Sequence, residues 1–330
     1  MRTKDRDPLQ TGYGKEPSAR TMEELLAAGL INLDKPVGPT SHQVTAWVRE
    51  ILDVDKIGHG GTLDPKVSGV LPIATGKATK ATDLVLRSDK EYVCMMTLHR
   101  DKDEAAVRRV LATFLGDIYQ LPPVRSAVKR QMRVRNVHSI KVLEMVGRDV
   151  LFRVNCDAGT YIRTLCVDVG EALGIGAHME DLRRTRSGSM LEQDSVTLQN
   201  LRDAVVYWKE GDETLLRGMV KPFEMLLEPL PKIVLKDSAI DAICHGADLA
   251  VVGISKHEES IQKGQTIAFM SAKGEGVGLG IAQMGGGEMK RAREGIAART
   301  DRVFMETGTY PKMWETGASQ KRPIADMNES

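Results

Sequence analysis

The sequence predicts an α+β chain of two domains, and three observations carry that expectation. From residue 30 onward strand-like and helix-like segments alternate, yet some neighbouring strands are joined by tight glycine turns, so the first sheet is mixed and largely antiparallel. The texture then changes at Glu228-Pro229-Leu230-Pro231, where two prolines flank a leucine. Beyond them, short apolar runs are separated by glycines, the pattern of a small β-barrel. A chain of 330 residues is long enough to bury two cores.

The elements follow in order. Residues 1–29 read as an N-terminal arm able to pack on the C-terminal domain. Its first 20 positions are polar and aperiodic, and Thr21-Met22-Glu23-Glu24 then forms a capping box ahead of Leu25 and Leu26. The first domain spans 30–228. Leu30 to Leu33 is a short strand. Ser41 is placed to cap a helix whose Val44, Trp47, Val48 and Ile51 make one apolar stripe. Val70 to Ala74 and Tyr92 to Leu98 read as strands. Asp103 to Leu115 reads as a helix ended by Gly116. Val134 to Met145 and Val150 to Cys156 make a hairpin through Gly147, and Tyr161 to Leu173 a helix stopped by Gly174. The second domain covers 229–314, with strands at Leu249–Val252, Thr266–Met270 and Val277–Ala282, and residues 315–330 are a polar tail.

Composition narrows the function. Hydrophobic residues are 42% and charged residues 28%, as in globular proteins, while aromatics are only 4%, so the cores are aliphatic. A net charge of +1 does not by itself announce a nucleic-acid binder. Basic residues are nonetheless gathered at Arg125, Lys129, Arg130, Arg133 and Arg135 with no acid among them, a run that suits either a solvated strand or an RNA contact. Cys94, Cys156, Cys166 and Cys244 form no C-x-x-C, and the 7 histidines no paired ligand spacing, so reduced thiols and no metal are expected. No signal peptide and no membrane-spanning run is present. Gly76-Lys77-Ala78 is not a phosphate loop, because Leu71 stands where its first glycine belongs.

The chemistry concentrates in Gly58-His59-Gly60-Gly61-Thr62-Leu63-Asp64-Pro65. Pro65 keeps Asp64 out of the α region, so its carboxylate sits on an extended or turn backbone among glycines. Alone this is also ordinary turn chemistry. Leu33-Asp34-Lys35-Pro36-Val37-Gly38 precedes it, and Lys90-Glu91-Tyr92 and Gly159-Thr160-Tyr161-Ile162-Arg163-Thr164 follow. In that order and spacing the set resembles the RNA pseudouridine synthases of the tRNA pseudouridine synthase B class. It is closest to their dyskerin branch, and the resemblance runs over roughly residues 30 to 310. Leu121-Pro122-Pro123-Val124-Arg125-Ser126-Ala127-Val128-Lys129-Arg130 resembles a branch segment that closes over substrate RNA. Ile240 to Ala247 and Gly278 to Ala282 resemble the PUA domain, an RNA-binding module.

This resemblance implies a pseudouridine synthase catalytic domain plus a PUA-like barrel, and isomerisation of uridine without a cofactor. Asp64 matches the family's nucleophilic aspartate and Arg163 the arginine that pairs with it. A cation at a helix start opposes the macrodipole, which independently calls for a partner. Tyr92 matches the tyrosine against the base, with a role in stacking or proton movement. Tyr161 and Leu182 match pocket-lining positions, His59 the residue that fills the gap left by a flipped base, and Lys35 a lysine supporting the loop from behind. Arg125, Lys129 and Arg130 are the expected RNA contacts. The implied partners are tRNA, rRNA and box H/ACA guide RNA, with three small proteins: zinc-ribbon-like, β-barrel and kink-turn-binding. Uridine-55 of tRNA is an implied target, and the setting is cytoplasmic, or nucleolar in a eukaryote. An RNA-binding scaffold with an unused pocket is the competing class. The joint presence of Asp64, Tyr92 and Arg163 favours the enzyme.

Overall fold

The computed structural model describes residues 12–122 and 131–313. Arg125, Lys129 and Arg130 lie outside the described residues. The chain divides into two units, one running from Thr21 to Leu226 and the other joining the residues up to Arg20 with those from Leu227 onward. The arm expected over 1–29 therefore divides at Arg20, and Thr21 opens the larger unit.

That unit contains α1 (Met22–Ala27), β1 (Gly29–Lys35), α2 (Ser41–Leu52), β2 (Ile57–His59), β3 (Ser68–Thr75), α3 (Thr82–Arg87), β4 (Lys90–Leu98), α4 (Glu104–Ala112), β5 (Gly116–Gln120), β6 (Arg133–Val146) and β7 (Asp149–Cys156). It continues through α5 (Ile162–Ala172), β8 (Ala177–Ser187), β9 (Met190–Leu191), α6 (Leu198–Lys209), α7 (Thr214–Met219) and β10 (Val220–Pro222). The strands form one sheet in the order β10-β1-β3-β8-β4-β7-β6-β5, with β2 added to β3 and β9 to β8. Its pairs are antiparallel except β3 with β8, so the sheet is mixed and largely antiparallel, as the hairpins and alternation predict.

Local sequence explains most boundaries. Thr21 caps α1 and Glu24 reaches back to the cap, completing the expected capping box. For α2 the cap is Thr40, not Ser41: Thr40 and Gln43 form the reciprocal box one residue earlier, which leaves Ser41 buried in the first turn. Asp103 caps α4, which ends at Ala112, earlier than expected, and Gly116 opens β5 instead of closing the helix. The β6–β7 hairpin turns at Gly147. On β7, Val150, Phe152, Val154 and Cys156 alternate inward, and on α5 Ile162, Leu165, Cys166 and Val169 meet them in one apolar core. Phe152 is wholly buried there, so truncating it to alanine costs about 3–5 kcal/mol. A second core, with Ile31, Leu33, Val44, Val48, Leu71 and Leu201, seats α2 and α6 against β1 and β3.

The smaller unit comprises β11 (Lys232–Leu235), α8 (Asp237–Cys244), β12 (Leu249–Ala250), β13 (Ile254–His257), β14 (Thr266–Met270), β15 (Gly276–Ala282), α9 (Gly286–Arg291) and β16 (Ile296–Val303). Its sheet runs β12-β16-β15-β14-β11-β13 around a core that includes Ile233, Ile240, Phe269 and Val277. Glu275 is buried and takes up the N-terminal segment. Its carboxylate accepts from the Lys15 backbone N–H at 2.9 Å, the Ser271 hydroxyl at 2.8 Å and the Tyr310 hydroxyl at 2.6 Å.

Candidate active site

Asp64 lies on an irregular stretch between β2 and β3, outside any helix, as Pro65 requires. The loop is held by its backbone from two sides. Ser41 Oγ accepts from the Leu63 N–H at 2.8 Å and donates to the Leu63 carbonyl at 3.1 Å. On the other flank Lys35, with no exposed surface, donates from Nζ to the carbonyls of Pro36 and Val67, both at 2.8 Å, and more weakly to Pro65 at 3.4 Å. The Val67 N–H closes the turn on the Asp64 carbonyl at 3.0 Å. Burial pulls the Lys35 pKa down, while the negative charge of Asp64 pushes it back up. The lysine expected to support the loop from behind does so through three carbonyls.

Arg163 is the second residue of α5, and its guanidinium hydrogen-bonds and ion-pairs with the Asp64 carboxylate. The pair crosses from the loop to a helix 99 residues away in sequence. It stays accessible, with 55% of the Asp64 side chain and 50% of the Arg163 side chain exposed, so a carboxylate fixed in direction still faces solvent. Tyr161 is the N-cap residue of α5, and Gln120 on β5 fixes its backbone, donating to its carbonyl at 3.0 Å and accepting from its N–H at 2.9 Å.

Tyr92 stands half-buried on β4, opposite Val154 of β7 on one side and Arg184 of β8 on the other. Burial raises its pKa and the Arg184 guanidinium opposes the rise. Leu182 faces Cys94 across β4 and β8 and packs in the core beside Leu63. His59 closes β2 against Ile73 of β3, its ring meeting His42 edge-on with centroids 5.0 Å apart. Its Nδ1 is buried and makes no hydrogen bond among the described residues, and burial pulls its pKa down.

Sequence reasoning missed three residues of this site. Ser41 was hidden behind its role as a supposed helix cap. Lys90 is buried at the start of β4, with Nζ donating to the Val85 carbonyl at 2.7 Å and the Ser88 carbonyl at 2.5 Å; burial brings its pKa down to about 8. Arg184 is 1% exposed. Its Nε donates to the Val70 carbonyl at 2.7 Å and its Nη2 to the Gly61 carbonyl at 3.2 Å. The signal was present: in a strand, Arg184 shares a face with the core residue Leu182, two positions earlier. Two glycines fit around this arginine. Gly61 has φ +132° and a Cβ there would lie 3.3 Å from Nη1, and Gly69, at φ +102°, would put a Cβ 2.2 Å from the Arg184 carbonyl oxygen.

Sequence comparison shows which family the chain resembles. Residues 49–162 match the TruB family pseudouridylate synthase N-terminal domain and residues 163–228 the tRNA pseudouridylate synthase B C-terminal domain. Residues 231–304 match the PUA domain and residues 1–45 the DKCLD domain. A probable tRNA pseudouridine synthase B of Methanothermobacter thermautotrophicus is 53% identical over 92% of this chain and 94% of its own length. The chain belongs to the TruB family. Another such family member, from Methanopyrus kandleri, is 54% identical over 95% of this chain and 93% of its own length. Among solved structures, a Cbf5–Nop10–Gar1 complex matches with a TM-score of 0.88 and 50% identity over 94% of this chain and 95% of that one. An H/ACA ribonucleoprotein bound to a substrate RNA containing 2′-deoxyuridine matches with a TM-score of 0.88 and 48% identity over 94% and 96%. This TruB family chain is thus an RNA pseudouridine synthase, an isomerase with a PUA domain. Among the described residues no helix is long and apolar enough to cross a membrane.

Proposed function

We propose that Asp64 is the nucleophile of uridine isomerisation and that Arg163 keeps it aimed. The observation that carries this reading is the ion pair itself, on a loop whose backbone is fixed by Lys35 and Ser41. Isomerisation breaks the N-glycosidic bond, turns the uracil and rejoins it through carbon. The protein must supply an anion beside the reacting sugar and base, and a carboxylate suits that role. Its backbone anchors place it before substrate arrives, which is where positioning lowers a barrier. The target base has to leave its stack, and Tyr92 offers a ring against its face and a hydroxyl for proton movement. His59 serves the RNA side by filling the vacated space, Tyr161 and Leu182 line the pocket, and Arg125, Lys129 and Arg130 contact RNA. No redox or phosphoryl step is involved, so the reaction runs without cofactor or metal.

The substrates of this reading are uridine-55 of tRNA and uridines of rRNA selected by a box H/ACA guide RNA. The relatives' names support tRNA as a substrate, and the H/ACA ribonucleoprotein bound to a substrate RNA supports a guide-directed setting. Small proteins of the Nop10 and Gar1 kind are its partners, and the PUA domain holds the guide or the tRNA end. The setting is cytoplasmic. The test is tritium release from a tRNA transcript labelled at uracil C5, with Asp64→Ala beside the unaltered chain. Release by the unaltered chain alone is expected, with RNA affinity of the variant within a few-fold, since phosphate contacts carry most affinity. Parallel loss of affinity and activity defeats the assignment of Asp64.

A further inference from the structure

We propose that Arg184 is a positioning residue for this reaction, a buried cation that fixes the Tyr92 hydroxyl and the turn leading to Asp64 in one frame. The inference rests on the roles given above to Asp64 and Tyr92, and it concerns a residue that contacts neither sugar nor base.

Three elements converge on one guanidinium. Through Nε it holds the Val70 carbonyl on β3 at 2.7 Å, and through Nη2 the Gly61 carbonyl at 3.2 Å, three residues before the nucleophile. The antiparallel register of β4 and β8 places it directly across from Tyr92. Opposed residues in such a pair have neighbouring side chains, so the register brings the guanidinium beside the phenol, whose field it shares. Gly61 is shaped to this arrangement, because any side chain there would press on the guanidinium.

The cost of this arrangement argues for more than strand cohesion. Among the described residues Arg184 makes no ion pair, and Lys35 and Lys90 add like charge nearby. An arginine cannot relieve the cost by shedding its proton. A buried cation satisfied only by neutral oxygens is expensive compared with an apolar residue of similar volume. What it supplies in return is direction. Guanidinium N–H groups only donate, so a phenol oxygen facing them acts as acceptor, and its own O–H is left to point away toward the bound base. The same group ties that oxygen to the Gly61 turn, so the hydroxyl and the carboxylate keep a fixed separation.

The test is single-turnover tritium release from the C5-labelled tRNA transcript with the full chain, together with RNA affinity and thermal midpoint. The variants are Arg184→Lys, Arg184→Met, Tyr92→Phe and the two doubles with Tyr92→Phe. Arg184→Met is expected to slow release by roughly 10²-fold, the scale of a small misplacement, with RNA affinity within a few-fold. Arg184→Lys keeps the charge and recovers at least part of the rate; it carries the test if the thermal midpoint shows Arg184→Met unfolded. In the Tyr92→Phe background the loss from either change shrinks, because the hydroxyl it serves is gone. The same fold-loss in both backgrounds, or a loss of rate matched by a loss of RNA affinity, overturns the proposal. Wild-type rates in Asp64→Ala or Tyr92→Phe would instead overturn the site assignment beneath it.

Discussion

The two units bury charge of opposite sign. Among the described residues, the buried charged side chains of the larger one are the cations Lys35, Lys90 and Arg184, and those of the smaller one are the carboxylates of Asp241 and Glu275. The cations spend their N–H groups on backbone carbonyls around the Asp64 loop and the start of β4, and so place positive charge among those segments. The carboxylates instead collect N–H and O–H donors from distant segments: Glu275 from Lys15 and Tyr310, Asp241 from the Gly308 N–H at 3.1 Å. On the proposed reading, the buried cations set the geometry of a reaction, whereas the buried anions tie down chain. That contrast can be broken residue by residue.

The largest expected effect belongs to Lys35. Replacing it with methionine removes the donor to three carbonyls and leaves the buried Val67 carbonyl without this partner, at about 1–3 kcal/mol of stability. The displaced loop is expected to slow single-turnover release by roughly 10²-fold. A Lys35→Met enzyme of ordinary speed would reduce the buried cations to plain scaffolding.

Glu275→Gln tests the other half. It weakens the contact to Lys15 and is expected to cost about 1–3 kcal/mol, with faster amide exchange at residues 12–20 and unchanged rates on tRNA uridine. A rate loss as large as that of Lys35→Met would erase the distinction between the units.

Lys90 gives the smallest and sharpest test. Its folded pKa is about 8 against an ordinary 10.5, so between those values the unfolded chain holds a proton that the folded chain has released. Raising the pH through that window therefore favours the folded state, and below about 8 the dependence vanishes. Denaturant titrations of the unaltered chain and Lys90→Met are expected to diverge in that sense, by at most on the order of 3 kcal/mol. Parallel curves from pH 7 to about 10.5 would mean that Lys90 keeps its ordinary pKa when buried.

The contrast also explains what could be read from sequence. The caps of α1 and α4, the Gly147 hairpin and the apolar faces of β7 and α5 depend on neighbours within a few residues, and these were legible. The Asp64–Arg163 ion pair and the buried Lys35 join motifs that stand far apart in the sequence, and only their spacing linked them there. Strand β8 was not legible, because Ala177–Ser187 is crowded with charged residues and only Leu182 and Arg184 among its central positions turn fully inward. Charged residues are rarely fully buried, so a period-two pattern that includes an arginine looks broken until the strand is seen in place. Ser41 was misplaced by one position for a simpler reason: Thr40 and Ser41 are both good caps, and only Gln43, three residues after Thr40, decides between them.

The junction of β3 with β8 has a consequence for the order in which the protein comes into being. Arg184 meets Val70 across 114 residues of sequence, at the one parallel pairing of this sheet. Contacts of such long range close late, because the loop entropy is lost before the contact repays it. A chain emerging from the ribosome presents Asp64 and Tyr92 early, yet their frame is incomplete until β8 has followed. If Arg184 frames the site as proposed, the catalytic arrangement is completed only when a loop spanning more than a third of the chain has closed.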